Sequence, residues 1–287
     1  MTDPTVVAIG GGHGLSMVLQ ALVDRCASLT GVVSVADDGG SSGRLRRDLA
    51  IVAPGDMRRC LGALTPDGLA RDALEHRFGA GVLAGHPAGN VLLAAMLEIE
   101  PDPVVVMDTL AAMVGARGRV LPATGEPVDL IATTDRGTVK GQVAVSESGA
   151  IDSIRYSPAD PAVPDAVVDA IAWADAVIVG PGSLYTSVLA PVVPGVAAAL
   201  AATRATVIYV ANLAAEPEET DGYDLADHID AVVRHGIDPD VVVSDISAVV
   251  PDAWVGKVET FELTGDDPDV HDPRRLGAAL ASIISAG

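Results

Sequence analysis

A chain of 287 residues with a formal charge of −21 is long enough to bury a large core. It is also too acidic to neutralise duplex nucleic acid or an anionic membrane face, where Lys and Arg supply the affinity. At 49% hydrophobic but only 3% aromatic residues, its core must come from Ala, Val, Leu and Ile, which suits buried parallel strands alternating with helices and excludes a disordered chain. Acidity does not exclude a phosphate-bearing ligand. It requires that backbone amides and a local basic cluster receive it.

The opening TVVAIGGGHGLSMVLQALVDRC reads as a β-rich run, a glycine turn and a helix with Leu15, Val18, Leu19 and Leu22 on one face. GVVSVADD follows as a second strand, which makes a βαβ unit with a right-handed crossover. Residues 44–115 read as mostly helical, with caps predicted at Asp56 and Asp67 and a further helix at NVLLAAMLEI. Around residues 119–155 the pattern turns to short alternating strands, VDLIATT, TVKGQVAVS and AIDSIRYS, expected as a small antiparallel addition to the main sheet. From residue 163 the α/β rhythm returns: a helix, strand DAVIVG, turn PGSLYTS and a helix near 195–202. Strand ATVIYVAN, helix YDLADHIDAVVRHG and strand DVVVSD come next. The last helix takes Asp272 as cap and Pro273 as its first residue.

Ala176–Thr203 is uncharged and long enough for a membrane span, yet Pro181, Pro191, Pro194 and its glycines mark it as buried α/β core. Cys26 and Cys60 fall in helical, apolar patterns and read as small buried hydrophobes without metal spacing. The expectation is one doubly wound α/β domain over 1–287, cytoplasmic, with no signal peptide and no membrane span. A homodimer follows from the commonest oligomeric state of soluble proteins.

Three stretches carry chemistry. The GGGHG turn, Gly10–Gly14, lies between a strand end and a helix N-terminus, where outward amides and the helix dipole favour an anion. Its G-x-G-x-G spacing differs from the G-x-G-x-x-G of dinucleotide folds, and no catalytic His/Asp pair is placed beside it, so a nicotinamide-dependent dehydrogenase is disfavoured. Asp37 and Asp38 are placed at the end of the second strand on the same sheet edge, suited to accept from sugar hydroxyls or to hold Mg²⁺ with ligand phosphates. The Gly39–Gly43 segment with Ser41 and Ser42 forms a concave nest for phosphate, made positive by Arg44, Arg46, Arg47, Arg58 and Arg59. Arg44 is the preferred ligand contact among them, the others being assigned to solvated helix faces. VGPGSLYTS is a second anion turn, with hydroxyls on Ser183, Tyr185 and Thr186, and nothing places a base beside Ser183. Two such turns at parallel strand ends suit a diphosphate compound. His86 and Asn90 open a helix, His86 holding the turn by hydrogen bonds. Of the later polar cluster, Asn212 and Glu219 are expected to see the crevice, while Glu216, Glu218 and Asp221 belong to a solvated face.

Together GGGHGLS, VADDGGSSGRLR, PGDMRRCL, GHPAGN, RGRVLPAT, GPGSLYTS and EPEETDGYDLADHIDAV occur in an order that resembles the YvcK proteins, the gluconeogenesis factors. That family is related to CofD, the 2-phospho-L-lactate transferase of coenzyme F420 biosynthesis. The resemblance implies a three-layer α/β/α Rossmann-like fold, mainly parallel. It implies binding of a uridine diphosphate sugar, with UDP-N-acetylglucosamine leading, and a role in carbon metabolism, cell shape and wall synthesis that needs no cofactor and no established catalytic step. Matching motifs assign ligand contacts to Gly11, Gly12, His13, Gly14, Asp37, Asp38, Ser41, Ser42, Asn90, Gly182, Ser183 and Asn212. A regulatory protein partner is implied as well. His13 stands where relatives usually carry Thr, and Val270 where Arg often precedes the His271–Asp272 pair. The alternative is a CofD-type transferase, moving a phospho-acyl group from a guanosine diphosphate donor with Mg²⁺ on Asp37 or Asp38.

Overall fold

The computed structural model describes residues 3–250 and 256–286. The apolar opening forms β1 (Thr5–Gly10) and, past the glycine turn, α1 (Gly12–Leu22), which buries Leu15, Val18, Leu19 and Leu22 as their spacing predicts. β2 (Ser28–Val33) pairs parallel with β1 along its length, Thr5 opposite Ser28 and Gly10 opposite Val33. Helices α2 (Gly40–Leu49), α3 (Pro54–Leu64), α4 (Leu69–Glu75), α5 (Ala88–Ile99) and α6 (Pro103–Val114) follow, and β3 (Arg119–Pro122) returns to pair with β2. β4 (Asp129–Thr134), β5 (Gly137–Lys140) and β6 (Ile151–Ser157) make a second, antiparallel sheet, with short α7 (Gln142–Ser146) between β5 and β6. Next come α8 (Asp165–Ala172), β7 (Ala176–Val179), a π-helical turn (Leu184–Val188) and α9 (Pro194–Ala202). β8 (Thr206–Val210), α10 (Leu225–Arg234), β9 (Val241–Asp245), β10 (Lys257–Phe261) and α11 (Pro273–Ala286) complete the chain.

The main sheet runs β3-β2-β1-β7-β8-β9-β10 with every neighbouring pair parallel. The chain builds outward from β1 to β3, returns to the centre at β7, and builds outward again to β10. This is the 3-2-1-4-5-6 order of dinucleotide-binding folds with a strand added, and it opens a crevice beyond the carboxyl ends of β1 and β7. Alternation along the strands feeds a core on each face. Val6 and Ala8 pack with Leu15, Leu61, Leu93, Leu110 and Leu276; Val7 and Ile9 pack with Val167, Val196 and Ile229. Helices thus cover both faces, giving the three α/β/α layers. The uncharged Ala176–Thr203 stretch is β7, the π turn and α9, and no helix among the described residues is long and apolar enough to cross a membrane.

Several expectations change. β2 ends at Val33, where its partner β1 ends, so Asp37 and Asp38 lie on a connection beyond the sheet rather than at a strand end. The antiparallel part begins at residue 129 as a separate sheet, because residues 119–122 pair parallel with β2 as the edge of the main one. TVKGQVAVS breaks at Gly141 (φ 103) into β5 and α7, whose Val143 N–H is taken by Asp38 Oδ1 at 3.0 Å. Neither predicted acid caps its helix. Pro54 starts α3 and places Asp56 inside the first turn, while Gly68 precedes α4. Cys60 is buried in α3, but Cys26 is half-buried in the turn after α1. Asp272 does cap α11, its Oδ1 accepting from Arg274 N and Arg275 N at 2.9 Å.

The two halves of the sheet meet backbone to backbone at the switch point. A Cβ on Gly14 would collide with the Pro181 carbonyl, so only glycine lets α1 approach the turn after β7. Gly14→Ala is expected to cost about 1–3 kcal/mol through forced separation of these backbones. Urea unfolding checks this, and an unchanged midpoint would show that the contact is dispensable.

Candidate functional site

A cleft of about 850 Å³ opens at this switch point, between the N-terminus of α1, the turn after β7, the loop after β8 and the segment entering α11. α1 begins without a side-chain cap and without an acid in its first turn, Gly12 taking φ 61. The Gly12 N–H faces the buried carboxylate of Asp56. The amides of His13 and Gly14 are left for an incoming anion at the positive end of the helix dipole.

Charge is arranged closely around that turn. Arg59, half-buried in the cleft wall, donates from Nη1 to Asp56 Oδ1 at 2.8 Å. Burial raises the Asp56 pKa above the ordinary carboxylate value against the pull of Arg59. Arg59 lowers the His13 pKa below 6.5, with burial and Arg58 adding to the effect, so His13 presents a neutral imidazole at pH 7. Arg58 is buried rather than solvated: its Nε donates to Asn90 Oδ1 at 3.1 Å, and it pairs with Glu75. Asn90 Nδ2 donates to Ser41 Oγ at 3.2 Å, and Ser41 Oγ lies 2.8 Å from His86 Nδ1. His86 thus holds its turn by hydrogen bonds, and a continuous chain links cleft-lining Glu75 to the Gly/Ser segment.

The predicted contacts divide. His13, Gly14, Gly182 and Asn212 line the cleft, while Gly11, Gly12, Asp37, Asp38, Ser41, Ser42, Arg44, Asn90 and Ser183 are not among its lining residues. Gly11 lies beneath it, against Asp56 and Ser187. Asp37 Oδ1 accepts from Gly39 N at 2.9 Å and Ser42 Oγ from Gly55 N at 2.8 Å. Asp37 and Asp38 therefore turn to different neighbours, each keeping Oδ2 outside these bonds. Among the described residues no three His, Cys, Asp or Glu side chains form a metal cluster. Arg44 is exposed, near Gly85 and His86, and of the five arginines of the predicted cluster it is Arg59 that lines the cleft. Arg46 is also drawn inward, donating to the Val128 carbonyl at 2.8 Å and Asp129 at 2.6 Å, which anchors the small sheet.

On the other side Asn212 Oδ1 accepts from Gly182 N at 3.0 Å and fixes the turn after β7. Tyr185 and Thr186 are buried and offer no hydroxyl to a ligand: Tyr185 Oη reaches the Ile151 carbonyl and Tyr223 Oη, both at 3.0 Å. Glu219 does not see the crevice; it lies under the π turn and accepts from Tyr185 N at 2.9 Å and Thr186 N at 2.7 Å. Glu216, read as solvated, lines the cleft instead. Sequence reasoning also missed Arg71, Glu75 and His271 as cleft residues. Of these, Arg71 and Glu75 stand four residues apart on α4 and carry a local signal, and His271 carries none.

A parallel sheet in this order, with a cleft at its switch point, defines the doubly wound class of α/β protein. The family model of the 2-phospho-L-lactate transferase CofD matches residues 6–285. The gluconeogenesis factor of Bacillus subtilis is 37% identical over 284 residues, covering 96% of this chain and 88% of that protein. That of Halalkalibacterium halodurans is 40% identical over 251 residues, 85% and 78% of the two chains. A crystal structure of a UPF0052 family member from Bacillus halodurans superposes with a TM-score of 0.92 at 34% identity, over 98% of this chain and 99% of that one. The chain belongs to the gluconeogenesis factor (YvcK) family, with a CofD-like domain over nearly all of its length.

The cap beneath the π turn gives a pH signature. Burial, with Glu216 adding to it, raises the Glu219 pKa from 4.5 to about 7. A carboxyl with a raised folded-state pKa stabilises most when protonated, so its contribution is complete below about pH 4.5 and is lost as pH rises through 7. Glu219→Gln keeps an acceptor for both amides but cannot ionise. Its stability relative to wild type should therefore improve between pH 4.5 and 7.5 in urea titrations; a difference that stays flat with pH would contradict the assignment.

Proposed function

We propose that the protein is a regulator that binds a nucleoside diphosphate sugar of the UDP-N-acetylglucosamine kind at the switch-point cleft and performs no catalytic step of its own. The observation that carries this is the meeting of two turns, His13–Gly14 and Gly182, across a cleft that also holds Arg59. The diphosphate lies on the α1 amides, and Arg59 shares its guanidinium between Asp56 and the phosphate oxygens. Neutral His13 serves as a hydrogen-bonding group rather than a second cation. A cleft of about 850 Å³ suits a ligand with two flanking halves. The relatives' name, gluconeogenesis factor, supports a role in balancing carbon metabolism, to which we add cell shape and wall synthesis. The reading includes a cytoplasmic homodimer and a protein partner that responds to the occupied cleft.

The match to the CofD model favours one other reading, a transferase using a guanosine diphosphate donor. In it Asp37 or Asp38 would hold Mg²⁺, which would offset the phosphate charge.

Thermal unfolding with UDP-N-acetylglucosamine, UDP-glucose, GDP and NAD, each with and without Mg²⁺, separates the two. A ligand at about a hundred times its dissociation constant adds roughly 2.7 kcal/mol, or on the order of 5–10 °C for a chain of this size. Shifts confined to the uridine compounds support the regulator, shifts only with GDP and Mg²⁺ support the transferase, and no shift with any of them overturns both. Arg59→Gln should weaken the binding ligand roughly ten- to hundredfold, the contribution of a charge-assisted contact.

A further inference from the structure

The end of the sheet opposite the cleft carries a recess of its own. A groove of about 580 Å³ runs between α8 and the first residues of β1, β2 and β3, which are Thr5, Ser28 and Arg119. α8 and its C-terminal turn present Ala166, Asp169, Ala170 and Trp173 to it, spaced as one helix face. The two alanines are too small to fill the space. Val7 and Leu29 form an apolar floor, and the far wall carries Arg117 and Arg119.

Trp173 is 81% exposed beside this groove. An indole left in water forfeits the large gain that burial gives an aromatic side chain. Its backbone is fixed nonetheless. Trp173 N donates to the Asp169 carbonyl at 3.0 Å, Asp175 N donates to the Thr5 carbonyl at 2.8 Å, and Thr5 N donates to Asp175 Oδ2 at 2.7 Å. The indole thus projects from a turn tied to the start of β1. Charge divides across the groove as well. The helix wall carries exposed Asp169, and the strand wall carries two of the 18 basic residues of the chain. Arg117 engages Asp24 through Nη1 and Arg119 engages Asp108, yet both guanidiniums stay nearly half exposed.

We infer that this groove is the face through which two copies of the chain pair, Trp173 of each copy filling the groove of the other. The inference rests on the homodimer included in the reading above and names its surface. A twofold interface sets one patch against itself, so it needs a projection and a recess side by side within that patch. Here both are present. Asp169 lies one helical turn before Trp173 and crosses with it, so it meets Arg117 of the other copy, and the two-fold repeats that pair on the far side of the axis. A partner of uniform charge matches only one of the two walls. A tryptophan seated in a pocket at the centre of a contact, with arginines beside it, is also the composition that carries most binding energy in interfaces. Because the groove lies at the amino ends of the strands and the cleft at their carboxyl ends, pairing leaves both clefts open.

Sedimentation equilibrium over a range of concentrations tests this with wild type, Trp173→Ala and Asp169→Arg. Both positions are exposed, so the variants keep the fold. Wild type should dimerise, and Trp173→Ala should weaken the dimer about thirtyfold or more, the effect of losing one hot-spot side chain. Asp169→Arg sets like charges across the contact and should weaken it too. Trp173 and Trp254 are the two tryptophans of the chain, so in Trp254→Phe the emission of Trp173 is read alone and should move to the blue as copies associate. A dimer as tight in Trp173→Ala as in wild type, or an emission that stays put on association, overturns the inference and leaves the homodimer standing. A wild type that remains monomeric throughout overturns the inference and removes the homodimer from the reading, while the ligand reading is decided separately by nucleotide binding.

Discussion

The approach of Gly14 to the Pro181 carbonyl is the contact on which the rest of the site depends. β1 and β7 are neighbours in the sheet although most of the first half of the chain lies between them. Their following turns must share the narrow space above the strand ends, and any side chain on Gly14 would force them apart. Because they do share it, the amides of α1 and the Gly182 turn fall on one cleft. Asn212 and Glu219, arriving from the loop after β8, then fix the second turn from the far side, one through Gly182 N and the other through Tyr185 N and Thr186 N.

The same region sets fixed positive charge into a chain of net charge −21. It does not gather loose arginines at the surface. Arg58 and Arg59 are set into α3 and held by Glu75 and Asp56, so each is positioned before a ligand arrives. Asp56 does two jobs, steadying Arg59 and engaging the first amide of α1. Such preorganisation lowers the ordering cost of binding.

The sequence made the βαβ opening, the switch back to α/β rhythm after residue 163 and both glycine turns readable, because each depends on local pattern: apolar runs, helical spacing and glycine between them. What it hid depends on partners distant in the chain. The end of β2 is set by where β1 stops, which moved Asp37 and Asp38 off the sheet edge. Arg44 and Arg59 look alike as sequence; only the packing of α3 beside α1 puts Arg59 in the cleft. Glu216 and Glu219 sit in one acidic run, yet one faces the cleft and the other is buried because the π turn offers it two amides. His271 gives no local signal at all, since its setting is made by Ala211, Asp245 and the entry to α11.

The small antiparallel sheet is pinned unevenly. Along its inner border Arg46 grips Val128 and Asp129, Asp38 holds Val143 N, and Gln142 Nε2 reaches the Thr186 carbonyl at 3.0 Å. Its outer border, the Asp135–Arg136 turn between β4 and β5, is exposed. The chain is therefore free to lengthen or shorten at that turn, where few contacts constrain it. A single added residue at Gly141 would instead shift Gln142 and Val143 off both the Asp38 segment and the π turn. One sheet thus has an edge open to variation in length and an edge whose spacing is locked to the crevice.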